Sequence, residues 1–183
     1  HKDKKKFRED TYKPQDIGDA AKQVKRILNL FVADEYKSIV LDKIIKRVGF
    51  PDVDVSDFYM SPAEIREMHN NGMIIGGHSV SHPIFANLSI EKQREEIKKN
   101  FDCLDAMVDG LNAKTFCYPH GLPFTFNEDT ISILNEVNCE WSFKVEPKEI
   151  KRKDLLDGPQ ALSRYDCADF VHGEASGSIG PSS

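Results

Sequence analysis

Two histidines, His78 and His82, stand four residues apart in Gly76-Gly77-His78-Ser79-Val80-Ser81-His82-Pro83. One helical turn would bring both imidazoles to one face. Two neutral imidazoles on one face, just past an apolar run, are suited to hold a zinc ion or another divalent cation. The paired glycines ahead of them would let the backbone turn sharply and leave room for a ligand. No Glu follows His78, so this is not the H-E-x-x-H protease arrangement. A second chemical segment is Phe116-Cys117-Tyr118-Pro119-His120-Gly121. Pro119 fixes the chain and Gly121 permits a tight turn. The backbone N–H of His120 could then face a bound oxygen, as an oxyanion hole requires. Taken singly, each segment also reads as an ordinary loop: two surface histidines, and a turn after a strand.

These segments need elements to hold them. Met73-Ile74-Ile75 is a short apolar run next to glycines and reads as a buried strand ending at the first histidine. Lys114 to Tyr118 reads as a second strand, Cys139 to Phe143 as a third and Ala161 to Arg164 as a fourth. Between them lie helical patterns. Ser61-Pro62-Ala63-Glu64 is a capping box that opens a helix ending at Asn70-Asn71-Gly72. A long helix starts near Ser89 with the stripe Ile97, Phe101, Leu104, Val108 and Leu111. Thr125-Phe126-Asn127-Glu128 reads as another capping box, opening a helix to about Val137. Upstream, Val24, Ile27, Leu28 and Phe31, then Ile39, Val40, Ile44, Ile45 and Val48, suggest two amphipathic helices joined near Ala33-Asp34. Gly49 to Asp57 reads as a loop. Alternating strands and helices imply a parallel α/β fold, whose chemistry collects where strand C-termini open into loops.

Composition narrows the classes. The 183 residues carry 25 Lys+Arg against 30 Asp+Glu, a net charge of −5, with 39% hydrophobic residues. That is enough to build one core, and it argues against a wholly disordered chain or a disulfide scaffold. The acidic balance argues against general nucleic-acid binding, and no apolar run is long enough to span a membrane. Lys2, Lys4, Lys5 and Lys6 read as a solvated arm, or more sharply as a phosphate-binding one. Cys103, Cys117, Cys139 and Cys167 are 14, 22 and 28 residues apart. That leaves no C-x-x-C motif; Cys117 reads as a small buried hydrophobe, and unpaired thiols favour a reducing, cytoplasmic compartment. Trp141 reads as core, or else as a platform for a sugar ring.

Together the two histidine-bearing loops resemble the polysaccharide deacetylase family, the NodB-homology group (carbohydrate esterase family 4). The helix between them, the Met73-Ile74-Ile75-Gly76 lead-in and the late segment Pro159-Gln160-Ala161-Leu162-Ser163-Arg164-Tyr165-Asp166 share the likeness, which covers roughly residues 57–172. The resemblance points to a branch acting on bacterial surface glycans. It implies a distorted (β/α) barrel and a metal-dependent hydrolase that removes acetyl groups from N-acetylated sugars, usually with zinc. It implies that His78 and His82 bind the metal, that the His120 N–H serves the oxyanion, and that Tyr118 and Pro119 wall the acetyl pocket. Arg164 is expected either in a buried ion pair with Asp166 that orients the site or in a salt bridge at its rim. The family's late general-acid histidine finds one downstream candidate, His172. The family's first motif, an Asp-Asp pair after an early strand, has no counterpart: Asp52-Val53-Asp54 lies in a loop and reads as solvated. The expectation is an incomplete barrel whose first strand is missing, weak zinc retention and a chain that is inactive, or nearly so, as given. Residues 1–56 would be a charged arm and helical insertion, 57–172 the α/β core and 173–183 a flexible tail or tag scar. Two alternatives stand beside the enzyme: a non-catalytic glycan-binding or interaction domain of the same fold, and a plain α/β domain with incidental histidines. Sugar identity and oligomeric state are not legible.

Overall fold

A computed structural model describes residues 18–49 and 54–165, together with the backbone of 170–171 and 174–175. The Lys-rich arm, Asp52, Val53, Asp166, Cys167 and His172 lie outside the described residues. The chain divides into two compact units between Phe58 and Tyr59.

In the first unit, helix α1 (Asp19–Arg26) runs into a wider π-helical turn at Ile27–Phe31. Helix α2 (Asp34–Val48) follows the extended Ala33, at the break expected between the two helices. The apolar positions of this unit are not buried: Val24, Ile27, Phe31, Ile39, Ile44, Ile45 and Val48 are all exposed. Asp54 is exposed and its carboxylate accepts from Ser56 N at 2.9 Å.

The second unit is a three-stranded parallel sheet with helices packed on it. Helix α3 (Pro62–Asn70) starts at the expected capping box, with Ser61 Oγ accepting from Glu64 N and Glu64 Oε2 from Ser61 N. Helix α4 (Ile90–Val108) is capped by Ser89. Its stripe works as the periodicity predicts, because Ile97, Phe101 and Val108 are buried and Leu111 packs against the core. Strand β1 (Thr115–Cys117) follows, then helix α5 (Glu128–Glu136), β2 (Trp141–Val145), the short helix α6 (Arg152–Asp157) and β3 (Leu162–Arg164). The sheet order is β1-β2-β3, with Cys117 opposite Phe143 and Phe143 opposite Leu162. A two-residue antiparallel pair, β4 (Phe170–Val171) and β5 (Glu174–Ala175), lies where a flexible tail was expected to begin.

Several expectations need correction. Met73-Ile74-Ile75 is not a buried strand. Met73 and Ile74 are 52% and 62% exposed, and only Gly77 bridges to Phe116, through Gly77 N to Thr115 O (2.7 Å) and Cys117 N to Gly77 O (2.9 Å). Among the described residues, the run lies beside β1 at the edge of the sheet, and its pairing is limited to that single bridge. The α5 cap is Asn127, not Thr125: Asn127 and Thr130 form the reciprocal box. Thr125 is buried, and its hydroxyl donates to Leu122 O instead.

The core gathers Phe85, Ile97, Phe101, Phe116, Tyr118, Phe126, Ile133, Leu134 and Cys139. Each such apolar side chain contributes about 1.5–3 kcal/mol on burial. Phe116, from β1, meets Phe85 edge-on at 6.0 Å and Tyr118 at 5.7 Å. Gln93 and Thr130 are fully buried and satisfy one another at 2.6 Å. Burial pushes the Cys139 thiol up to about 12. In the unfolded chain that thiol ionises near its ordinary value of about 8.5. The unfolded state thus releases its proton first, and stability falls as pH rises through the window from about 9 to 12. Melting followed at pH 8 and pH 10 should show this fall, and Cys139→Ala should reduce it. An equal fall in the variant would exclude the thiol as its source.

Candidate active site

The histidines collect at the C-terminal end of β1. Gly77 comes too close to its neighbours to carry a side chain: a Cβ there would lie 2.5 Å from Asn100 Oδ1 and 3.0 Å from the Phe116 ring. Close approach, rather than a sharp turn, is therefore what requires glycine before His78. The turn itself is made by residues with side chains, Ser79 at φ 67° and His82 at φ 55°. Left-handed backbone costs about 1–3 kcal/mol at such residues and persists only where surrounding contacts impose it.

Most of those contacts come from α4, and sequence reasoning did not find them. His78 N donates to Asn100 Oδ1 at 3.1 Å. Val80 N and Ser81 N both donate to Glu96 Oε2 at 2.9 Å, and Ser81 Oγ donates to Glu96 Oε1 at 2.7 Å. His82 N donates to Ser79 Oγ at 3.0 Å. The one available signal was the i,i+4 spacing of Glu96 and Asn100, which sets both on one face of α4.

The loop brings the rings together. His78 and His82 lie 4.9 Å apart between ring centroids, edge-on at 68°, and His82 and His120 lie 4.6 Å apart. His78 Nδ1 sits 2.7 Å from Cys117 O. A carbonyl only accepts, so Nδ1 carries the proton and a neutral ring keeps its lone pair at Nε2. That arrangement orients metal-binding imidazoles in general. His78 thus presents Nε2 as a nitrogen donor suited to a borderline cation such as Zn2+, with the His82 ring beside it. Among the described residues, no group of three or more His, Cys, Asp or Glu is placed to hold a metal ion.

His120 takes φ 61° and Gly121 φ 65° just after Pro119. This turn is stitched to β2 by Val145 N, which donates to Gly121 O at 2.8 Å. Tyr118 and Pro119 are not at an open surface. Both are fully buried; the Tyr118 ring stacks on Phe126 at 3.8 Å and its hydroxyl bonds Ser142 Oγ at 2.8 Å. Burial drives that phenol far above its ordinary value. Arg164 ends β3, at the same end of the sheet. Its Nε is buried with no hydrogen-bond partner, and its charge offsets part of the rise that burial imposes on the Cys117 thiol. Trp141 is exposed and opens β2 opposite Thr115. It therefore stands at the N-terminal end of the strands, away from the histidines. No helix among the described residues is long and apolar enough to cross a membrane.

The polysaccharide deacetylase family profile matches residues 21–141, well over half of the chain and in both compact units. A structure titled Streptococcus pyogenes deacetylase PplD in complex with acetate shares the fold, with a TM-score of 0.51 at 24% identity. The match covers 58% of this chain and 44% of that one, so this chain spans less than half of its neighbour. No curated protein matches the chain. With that profile match behind it, the chain belongs to the polysaccharide deacetylase family.

Proposed function

We propose that the chain carries the site of a hydrolase that removes acetyl groups from the nitrogens of an N-acetylated glycan. The observation that carries this reading is the contiguous row of His78, His82 and His120 rings at the C-terminal end of the parallel sheet. The sheet would be one arc of a distorted (β/α) barrel. The acetate in the PplD structure is the product such a reaction releases.

His78 and His82 would hold Zn2+ or another divalent cation. When bound, such a cation lowers the pKa of water toward about 7 and polarises a carbonyl. The chain's own groups serve the carbonyl oxygen and the leaving amine. The His120 N–H donates to the carbonyl oxygen as charge develops there, and losing a donor of this kind costs about 3 kcal/mol of barrier. Water adds to the acetamide carbon and loses its proton to solvent, because the family's carboxylate base has no counterpart in this sequence; the C–N bond breaks, the amine leaves with a proton and acetate departs. His172 is the residue proposed to supply that proton. Arg164, with its buried Nε at the same end of the sheet, is the residue proposed to orient the substrate or acidic groups of the site.

The lack of a third donor in the described cluster favours a second reading, a glycan-binding domain without catalysis. Acetate release from N-acetylated chito-oligomers, with and without added Zn2+, separates the two. The hydrolase reading expects slow, zinc-dependent release that His78→Ala abolishes. Binding of the oligomer with no release at any zinc concentration would leave the binding domain as the answer.

A further inference from the structure

We propose that Glu96 is a positioning residue: from α4 it holds the His78–His82 loop in the one backbone shape that brings the two rings side by side. This deepens the reading of the histidines as cation ligands and rests on it.

Four of the five loop N–H groups have an assigned acceptor. His78 N goes to Asn100, Val80 N and Ser81 N to Glu96, and His82 N to Ser79 Oγ. Glu96 takes the largest share, because both its oxygens are engaged and one of them accepts two amides. A carboxylate accepting several N–H and O–H groups binds them more strongly than a neutral acceptor does. The loop needs such an anchor. Ser79 and His82 both sit in left-handed backbone, so relaxation of either would rotate the second imidazole away from the first. The Ser81 hydroxyl reports the same design, since it turns inward to Glu96 Oε1 although Ser81 is an exposed residue. Asn100, one turn further along α4, anchors the start of the loop beside Gly77. One helix face thus sets the separation of the two rings.

The test uses the full chain with Glu96→Ala, Glu96→Gln and, as a control on the same helix, Glu95→Gln, whose wild-type carboxylate pairs with Lys99 outside the loop. Amide hydrogen exchange is followed residue by residue without metal, and Zn2+ alone is titrated calorimetrically. Glu96→Ala should expose the Val80 and Ser81 amides to exchange and weaken Zn2+ binding about 10–100-fold, the range for outer partners of metal ligands. The thermal midpoint should change little. Glu96→Gln, which keeps an acceptor oxygen, should fall between, and Glu95→Gln should match wild type. Unchanged protection at Val80 and Ser81 overturns the proposal. So does full exposure of those amides with zinc affinity within about twofold of wild type, since outer-partner losses are larger. If Glu96→Ala fails to fold, the same two readouts on Glu96→Gln decide it. If the wild-type chain takes up no zinc, the cation reading fails, and the exchange arm still decides whether Glu96 holds the loop.

Discussion

His78→Ala should weaken Zn2+ binding by at least about 100-fold, the upper end of what losing even an outer partner of a metal ligand costs. The expectation follows from the donor count. Two imidazoles, 4.9 Å apart, are the donors the loop brings together, and among the described residues no group of three or more His, Cys, Asp or Glu is placed to hold a metal ion. Removing His78 takes away one of the two proposed ligands outright, so the loss exceeds what any supporting residue could cause. A hundredfold change corresponds to about 2.7 kcal/mol. Folding should suffer far less. His78 is exposed, and the substitution removes one hydrogen bond, Nδ1 to Cys117 O, worth about 1 kcal/mol net. Calorimetric titration beside a thermal melt checks both halves. Equal zinc affinity in the variant would show that the ions bind elsewhere. A large drop in melting temperature with unchanged affinity would make His78 a structural residue.

Gly121→Ala should act the other way, on stability first. Gly121 sits at φ 65°, and a Cβ there would lie 2.5 Å from Val145 Cγ2 and 2.8 Å from Val145 N. The second neighbour is backbone, held in the sheet by the Gly121 O to Val145 N bond, so it cannot swing aside. Left-handed backbone costs an alanine about 1–2 kcal/mol. Forcing a methyl into packed surroundings costs about 1–3 kcal/mol more. A loss of about 3 kcal/mol lowers the melting temperature by about 6–12 °C in a chain of this size. The turn also carries His120, so under the proposed hydrolase reading any acetate release by the folded survivor should be slower. A midpoint within about 2 °C of wild type would mean that the Val145 strand yields more easily than packed sheets do.

What could be read from the chain without its fold has a common feature: it is local. Ser61-x-x-Glu64 and Ser89 cap their helices because a hydroxyl three residues before an amide reaches it whatever lies elsewhere. Thr115–Cys117 forms a strand and its neighbours Ile97 and Phe101 a buried stripe because period and propensity agree. The same locality explains the misses. Met73-Ile74-Ile75 has the composition of an interior strand, yet burial depends on a neighbour that the run does not itself specify. Thr125 and Asn127 are equally good caps by composition; the partner Thr130, anchored to Gln93 across the core, selects Asn127. That the Tyr118 ring stacks on Phe126 and its hydroxyl bonds Ser142 was likewise not legible, because both partners come from elsewhere in the chain.

The residue types and spacings alone determined the candidate chemistry: a pair of imidazoles four apart, a proline-braced turn with His120, and a late strand ending in Arg164. Tertiary structure decided whether those groups meet. His82 and His120 are 38 residues apart in sequence and 4.6 Å apart in ring position. Their meeting depends on β1 pairing beside Gly77 and on Glu96 and Asn100 reaching the loop from α4. Such contacts join segments far apart in the chain, and their closeness follows from packing that no local pattern encodes.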